Sequence, residues 1–390
     1  MDFDLTDEQQ EFRKLVRQFA EEVVAPRAEE MDQAGELPMD IVKQMGELGL
    51  FGLPFPEEHG GQGADFLTLC IAIEELARVD SSIAITLEAA VGLGASPIHH
   101  YGTEEQKRRW LAPMATGEIL GSFGLTEPGG GSDAEATRTT ARLEDGEWVI
   151  NGSKAFITNS GTPISKVCTI TAVTGEMDDG SKEISAIIVP ADTPGFEVGS
   201  SYRKVGWRAS DTHELAFDDV RVPEENLLGE RGKGYAQFLQ ILDEGRIAIA
   251  ALAVGLTQGC LEESVRYAKE REAFGRPIGA FQGMQFKIAD MRVAAETARL
   301  ATYRAAWLHD EGRPYKAEAS MAKLYASEAA VTAARDAVQV HGGYGFIEEF
   351  PVARHYRDSK VLEIGEGTSE IQRVLIARDL GLPGTSFGER

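Results

Sequence analysis

Asp145-Gly146-Glu147-Trp148-Val149-Ile150-Asn151-Gly152 is where the chain stops reading as helix. A short β-branched and aromatic run sits between two turn signals, Asp-Gly and Asn-Gly, which mark a strand between reversals. The same texture returns at Val167 to Val173, Ile184 to Val189 and His213 to Phe217, with Asp179-Gly180 and Pro194-Gly195 between them. No helix-length pattern alternates with these strands, so a Rossmann arrangement is disfavoured. A small antiparallel β domain over residues 121–230 is expected.

The flanks read as helix. Thr6, with Gln9 three residues on, predicts a capping box. Phe12, Leu15, Val16, Phe19 and Val23 then recur at helical spacing, and Pro26 falls near the end of that helix. A second helix is expected from about Met39 to Leu48, a Gly- and Pro-rich loop from Pro54 to Ala64, and a longer helix from Asp65 to Val79. Beyond the strands, Phe281, Met284, Ile288, Met291, Ala295 and Ala298 alternate by threes and fours. Ala305 and Leu308 continue that series after Thr302 interrupts it, and Ala317 to Val340 reads as another helix. The fold class is therefore mostly α with a central β domain. An N-terminal α-helical domain spans 1–120, the middle β domain 121–230, and a C-terminal α-helical bundle 231–390. The tail after Gly381 reads as loose.

A chain of 390 residues with 43% hydrophobic content is long enough for two or three domains and a sizeable core. Its 3 Cys (Cys70, Cys168, Cys260) are far apart, so neither a zinc site nor a disulfide framework is expected, and no metal. A net charge of -24 disfavours nucleic acid and requires basic residues to gather wherever an anionic ligand enters. Met1 to Leu5 has neither a basic nor an apolar signal region, and Ile249 to Gly255 is too short to span a bilayer. A cytoplasmic protein without membrane association is expected.

The chain has no GxxxxGK[ST], HExxH or GxSxG. Gly229 to Gly234 and Gly342-Gly343 lack the strand-then-helix setting of a dinucleotide fingerprint. Three passages remain. Phe123-Gly124-Leu125-Thr126-Glu127-Pro128 leads into Gly129-Gly130-Gly131-Ser132-Asp133, where glycines admit a ligand close to the backbone and hydroxyls offer donors. Asn151-Gly152-Ser153-Lys154-Ala155-Phe156-Ile157-Thr158-Asn159 is the second. Either could be an ordinary turn. The third is Ile364-Gly365-Glu366-Gly367-Thr368-Ser369-Glu370-Ile371-Gln372-Arg373. Here Ser369 and Gln372 fit a capping box, and Glu366 stands just before the helix between glycines. By spacing alone, Glu366 reads first as an acid stabilised by a helix dipole.

Together these residues resemble the acyl-CoA dehydrogenase family. The resemblance runs from the first helix to about Leu380. It includes Arg271 to Gln282 (REAFGRPIGAFQ), Gln339 to Phe346 (QVHGGYGF) and Ile364 to Arg373. Each motif is moderately specific; all of them in order are very specific. The resemblance implies FAD as cofactor and Glu366 as the base that takes the α proton of an acyl-CoA while hydride leaves the β carbon for the flavin. It implies flavin contacts from Phe123, Leu125, Thr126 and Ser132, with Thr126 and Thr158 bonded to the ring and Phe156 packed on it. Arg271, Phe274 and Gln282 would hold the FAD of a neighbouring subunit, which implies a homotetramer. Gln339, Gly342 and Gly343 match a further FAD contact, and Thr368 and Glu370 match positions beside the base. Asp243 and Arg246 match residues near the CoA ester, with Ser132 and Gly367 also expected at the substrate. The acceptor implied is electron-transferring flavoprotein, and the setting fatty acid β-oxidation.

Some branched-chain members carry the base just before the arginine matching Arg246. Here that position is Gly245, which cannot act; Glu244 would point elsewhere. Many straight-chain members have tyrosine before the base, whereas this chain has Gly365, which hints at a short or branched acyl group. Glutaryl-specific members carry an arginine soon after an Asp-Ser pair; Asp80-Ser81-Ser82-Ile83 has none. Two other readings keep the fold: an acyl-CoA oxidase using oxygen, and a non-catalytic flavin- or CoA-binding protein. His99-His100, His341 and His355 show no ligand spacing and read as surface or packing residues; Arg354, His355 and Arg357 could instead face a subunit or nucleotide.

Overall fold

The computed structural model describes residues 4–383. Thr6 opens the first helix, α1 (Asp7–Phe19), by the capping box its sequence predicts: each of Thr6 and Gln9 accepts the other's backbone N–H. Pro26 does not end the helical path. A π turn over Ala20–Val24 and a 3-10 turn over Ala25–Arg27 carry the chain into α2 (Ala28–Ala34). The change of register places the residue that lacks an N–H where no α-helical bond is needed. Then come α3 (Met39–Glu47), α4 (Phe66–Ala77), α5 (Ser81–Glu88), α6 (Ser96–Tyr101), α7 (Glu104–Gln106) and α8 (Ala112–Ala115). The carboxylates of Asp65 and Asp80 cap α4 and α5. A π stretch over Ala89–Ala95 joins α5 to α6. The resulting helix, Ser81–Tyr101, is long and apolar enough to cross a bilayer by length and composition, a span the sequence reading passed over. It is packed inside the protein, as the core helix of a large domain is.

The strands are β1 (Leu120–Gly124), β2 (Thr140–Glu144), β3 (Glu147–Thr158), β4 (Ser165–Glu176), β5 (Lys182–Pro190), β6 (Phe196–Val198), β7 (Thr212–Pro223) and β8 (Leu227–Leu228). Their order is β6-β7-β3-β2-β4-β5-β8, with β1 beside β4. The sheet is mixed, which corrects the antiparallel expectation. β1 runs parallel to β4, from Gly121 opposite Val167 to Gly124 opposite Ile170, and β2 meets β4 in parallel at Thr140 and Val173. Turn signals such as Asp145-Gly146 fix only the hairpin they close, β2 on β3. The long excursion between β1 and β4 leaves their direction free, and a connection of that length permits parallel pairing. Trp148, Ile150, Ile170, Val189, Leu215 and Phe217 make a core inside the sheet. Phe123 and Leu125, at the end of β1, belong instead to the core shared with the helices.

The rest is α9 (Gly234–Glu270), a hairpin of β9 (Glu272–Ala273) and β10 (Arg276–Pro277), α10 (Gln282–Asp310), α11 (Lys316–His341), α12 (Pro351–Ser359) and α13 (Ser369–Asp379). α9 is buried continuously from Asp243 to Thr257, sandwiched between α4, α10 and α11. α11 presents Ala319, Ala322, Ala326, Ala330, Ala333 and Ala337 inward, and side chains this small bring helix axes close. Thr302 does not interrupt the buried stripe of α10: it is buried, with its hydroxyl donating to the Ala298 carbonyl at 2.8 Å. Of the surface and packing roles open to Arg354, His355 and Arg357, packing holds for the first two, and Arg357 is half-buried. Arg354 and His355 are buried, Arg354 lies 3.2 Å from Asp80, and Arg357 pairs with Asp32. Their positions at helical spacing on α12 turn them toward the N-terminal helices, where those aspartates require cations.

Candidate active site

Glu366 lies in the turn between α12 and α13, with φ +51, followed by Gly367 at φ +95. A left-handed residue other than glycine stores on the order of 1 kcal/mol or more, which its surroundings must offset. The anchor is the Gly367 carbonyl, which accepts from Lys323 Nζ at 2.7 Å and Gln372 Nε2 at 2.9 Å. α13 is capped by Thr368, whose hydroxyl accepts from the Ile371 N–H, not by Ser369. Gln372 is drawn off to hold Gly367, so the expected Ser369–Gln372 box does not form. The Glu366 N–H donates to no backbone carbonyl among the described residues.

The Glu366 carboxyl is pressed against α9. A Cβ placed on Gly245 would stand 2.0 Å from its Oε2, so glycine there is a steric requirement of the acid. Glu88, at the end of α5, approaches the same carboxyl. Neither oxygen of Glu88, nor Oε2 of Glu366, meets a hydrogen-bond donor among the described residues. Burial pushes the Glu366 pKa up; the neighbouring Glu88 carboxyl and the charges of Lys323 and Arg246 pull against it without cancelling it. Burial, then the charge of Glu366, pushes Glu88 well above the carboxylate range. Arg246 is buried and paired to Asp243, which also lies 3.3 Å from Lys316. The basic groups drawn to the site are thus Arg246 and Lys323 inside and Lys316 outside. Glu244 points away from this centre. Burial raises its pKa, but the imidazoles of His100 at 3.0 Å and His309 at 3.6 Å outweigh that and take it to about 2. It is a bound anion with little appetite for a proton.

The two passages of the sheet come together at the end of β1. The Ala155 N–H donates to the Thr126 carbonyl at 2.9 Å. Beneath them lies a buried ion pair, Lys154 Nζ to Glu127 Oε1 at 2.8 Å, with Lys154 also donating to the Leu125 carbonyl and Thr171. Phe123 stacks on Phe238 with centroids 4.1 Å apart, and Leu125 is buried beside it. Phe156 is 66% exposed at φ +60, stacked on Tyr202. A large ring held outward on strained backbone is a surface awaiting a flat partner. The hydroxyls of Thr126 and Thr158 make no hydrogen bond among the described residues. Ser132 stands exposed on the glycine loop. A planar cofactor with polar edges fits this combination of an apolar face and two free hydroxyls. Asn159 ties it to the acid centre: its Nδ2 donates at 3.1 Å to the carbonyl of Thr86, on the helix that ends in Glu88.

A third group stands apart. Arg271 lies over the ring of Tyr344 at 5.7 Å, and with Gly342 and Gly343 it lines an open groove of about 570 Å3. Phe274, at the tip of the β9–β10 hairpin, is 95% exposed. Gln282 and Gln339 are also exposed. No hydrogen bond or ring contact among the described residues joins this group to the first two. Glu370 sits exposed in the first turn of α13, beside Thr368. Sequence reasoning missed Glu88, Lys323 and Asn159. Glu88 had a signal, as the lone charge in the apolar run Ile83 to Ala95.

Three family models account for nearly the whole chain: the acyl-CoA dehydrogenase N-terminal domain over residues 6–118, the middle domain over 122–220 and the C-terminal domain over 232–381. The chain is 53% identical to the probable acyl-CoA dehydrogenase YngJ of Bacillus subtilis, across 97% of this chain and all of that one. Among solved structures, butyryl-CoA dehydrogenase from Megasphaera elsdenii superposes with a TM-score of 0.94 at 44% identity, covering 97% of this chain and 100% of that one. A chain from a structure described as the electron transferring flavoprotein of Acidaminococcus fermentans gives 0.94 at 45%, covering 97% and 99%. A glutaryl-CoA dehydrogenase with bound glutaryl-CoA gives 0.94 at 39%, covering 98% of both chains.

Proposed function

The chain belongs to the acyl-CoA dehydrogenase family, and we propose that Glu366 is the base with which it dehydrogenates an acyl-CoA thioester. The enzyme is FAD-dependent, and bound FAD supplies the acceptor for the hydride that leaves the β carbon. The observation that carries the assignment of the base is the setting of Glu366. Its Oε2 is buried and meets no donor among the described residues, its pKa is raised, and it is lodged where α9 has no side chain. A carboxylate so placed is basic enough to take a weakly acidic α proton at neutral pH. The free N–H of Glu366 is suited to the thioester carbonyl, where it stabilises the negative charge that develops as the α proton leaves. Arg246 and Lys323 hold positive potential nearby. Thr126, Thr158 and Phe156 are the residues that would hold and orient the flavin ring.

A short or branched acyl group, yielding a trans-2-enoyl product, is the substrate class we favour. A Cβ on Gly365 would meet nothing nearer than the Val361 carbonyl at 3.5 Å, so the missing side chain leaves space beside the base. A relative in fold acts on butyryl-CoA. A glutaryl group is disfavoured although another relative takes it: α5 carries no cation for a distal carboxylate. Electron-transferring flavoprotein is the proposed acceptor, supported by the fold shared with a chain from such a structure. The assembly we propose is a homotetramer, in which the outlying Arg271, Phe274 and Gln282 reach a neighbour's flavin. Three free, buried cysteines suit a cytoplasmic enzyme of β-oxidation.

The test is anaerobic titration of the FAD-loaded enzyme with a panel of acyl-CoAs, read as bleaching of oxidised flavin. Butyryl-CoA or a branched analogue should bleach it. In Glu366→Gln, flavin and ligand should still bind while the rate falls by several orders of magnitude. Retained reduction in that variant would move the base elsewhere. Oxygen consumption matching turnover would make the enzyme an oxidase.

A further inference from the structure

Glu88 has no role in the reaction as set out above, yet its carboxyl is the one that meets the base. It is fully buried, and among the described residues the charge that shifts it is that of Glu366. The π stretch that follows it makes room. A Cβ on Gly92 would stand 2.9 Å from Glu88 Oε1, as one on Gly245 would crowd Glu366 Oε2. Each carboxyl is therefore seated against a glycine, Gly92 four residues on in the helical run that carries Glu88 and Gly245 on α9. π turns inside helices are frequent at functional sites.

Two buried carboxyls in contact do not both ionise; they hold one proton between them. The charged groups facing the pair decide where it sits. Arg246 on α9 (itself paired to Asp243) and Lys323 on α11 act on Glu366, and Glu363 and Glu370 act on Lys323 in turn. Among the described residues no cation contributes to the shift of Glu88. The negative charge settles on Glu366 and the proton on Glu88.

We propose that Glu88 is a positioning residue for the base: it keeps one proton, donates it as a hydrogen bond to the Glu366 carboxylate, and so holds Glu366 ionised and aimed before the acyl chain arrives. When the α C–H bond breaks, the proton forms an O–H bond on Glu366 and the hydride from the β carbon goes to the flavin. Both acids are then neutral, which suits a closed, dry site. The inference rests on the reading of Glu366 as base.

The experiment follows flavin reduction by butyryl-CoA in anaerobic single turnovers across pH, for the FAD-loaded wild type, Glu88→Gln and Glu88→Leu. Glutamine keeps a donor; leucine has none. In Glu88→Leu the acid limb of the rate profile should move up by about one pH unit or more, so the rate below the limb falls about tenfold. In Glu88→Gln the limb should stay in place. An unmoved limb in a flavin-bound Glu88→Leu overturns the proposal. Should leucine prevent flavin loading, infrared spectroscopy decides: the wild type at neutral pH should show the carbonyl stretch of a protonated carboxylic acid that Glu88→Gln lacks. Its absence from the wild type overturns the proposal too. Reduction persisting in Glu366→Gln would sink the assignment of the base itself, a distinct result.

Discussion

At Gly245 a missing side chain matters as much as the acid it faces. Substituting alanine would favour the helix by about 1 kcal/mol in isolation. Here its Cβ would fall 2.0 Å from Glu366 Oε2, and the strained turn must give way. Gly245→Ala should therefore keep its FAD absorbance and fold while flavin reduction slows on the order of a hundredfold, the usual result of moving a reacting group by an ångström. A wild-type rate in stopped flow would mean that the carboxyl does not work from this position. The sequence made Gly245 legible only as a residue that cannot be a base; that it also gives the base its seat needs coordinates. Glu366 itself was legible as an acid ahead of a helix, and its left-handed backbone was half-announced by Gly367. Glu88 was not, because a single charge in an apolar run says nothing about which buried group it will meet.

Single elements were the easiest part to read, and their partners the hardest. Helices with an apolar period and strands between Asn-Gly or Asp-Gly turns follow from local sequence, and most ends fall within a residue or two of expectation. What local sequence missed depends on distant contacts: the parallel pairing of β1 with β4, the passage of the helix through Pro26, and the ion pairs of α12's arginines with Asp80 and Asp32. α12 shows the consequence for stability. Its Asp358 accepts the Trp207 N–H at 2.7 Å, while Oδ2 meets no donor among the described residues. Burial, then the neighbouring Asp80, pushes its pKa up to about 7, against the pull of the Trp207 bond and Arg354; Asp32 adds to the rise. In the unfolded chain an aspartate titrates near 4. The folded state thus holds a proton that the unfolded state releases. Its contribution is full below about pH 4 and is lost as pH rises through about 7. Asp358→Asn keeps an acceptor for Trp207 and cannot ionise. Denaturant titrations from pH 4 to 8 should show the variant gaining on wild type as pH rises, by a few kcal/mol at the top. Parallel stability curves would place that proton elsewhere.

For the whole molecule, charge and apolar surface pull in opposite directions. A net charge of -24 opposes self-association, so any assembly must close on apolar contact. α10 provides it. On the face turned from the core, Phe286, Val293, Leu300 and Trp307 are all exposed, one every seven residues. Seven residues are nearly two helical turns, so the four form one stripe, the kind a second helix covers. Its period was present in the sequence, but the buried series on the same helix masked it. The stripe shares α10 with Gln282 and adjoins the hairpin that carries the exposed Phe274. A contact along it would also bring those outlying flavin residues to a neighbour. Val293→Glu with Leu300→Glu sets like charges on the stripe without touching the core. The double variant should fall to smaller species in light scattering and, on dilution, lose FAD that the wild type retains, with its helical circular dichroism unchanged. A wild-type mass with flavin intact would put the interface on another face. A small species that still holds its flavin tightly would mean that each chain completes the cofactor site alone, leaving Arg271, Phe274 and Gln282 without the role proposed for them.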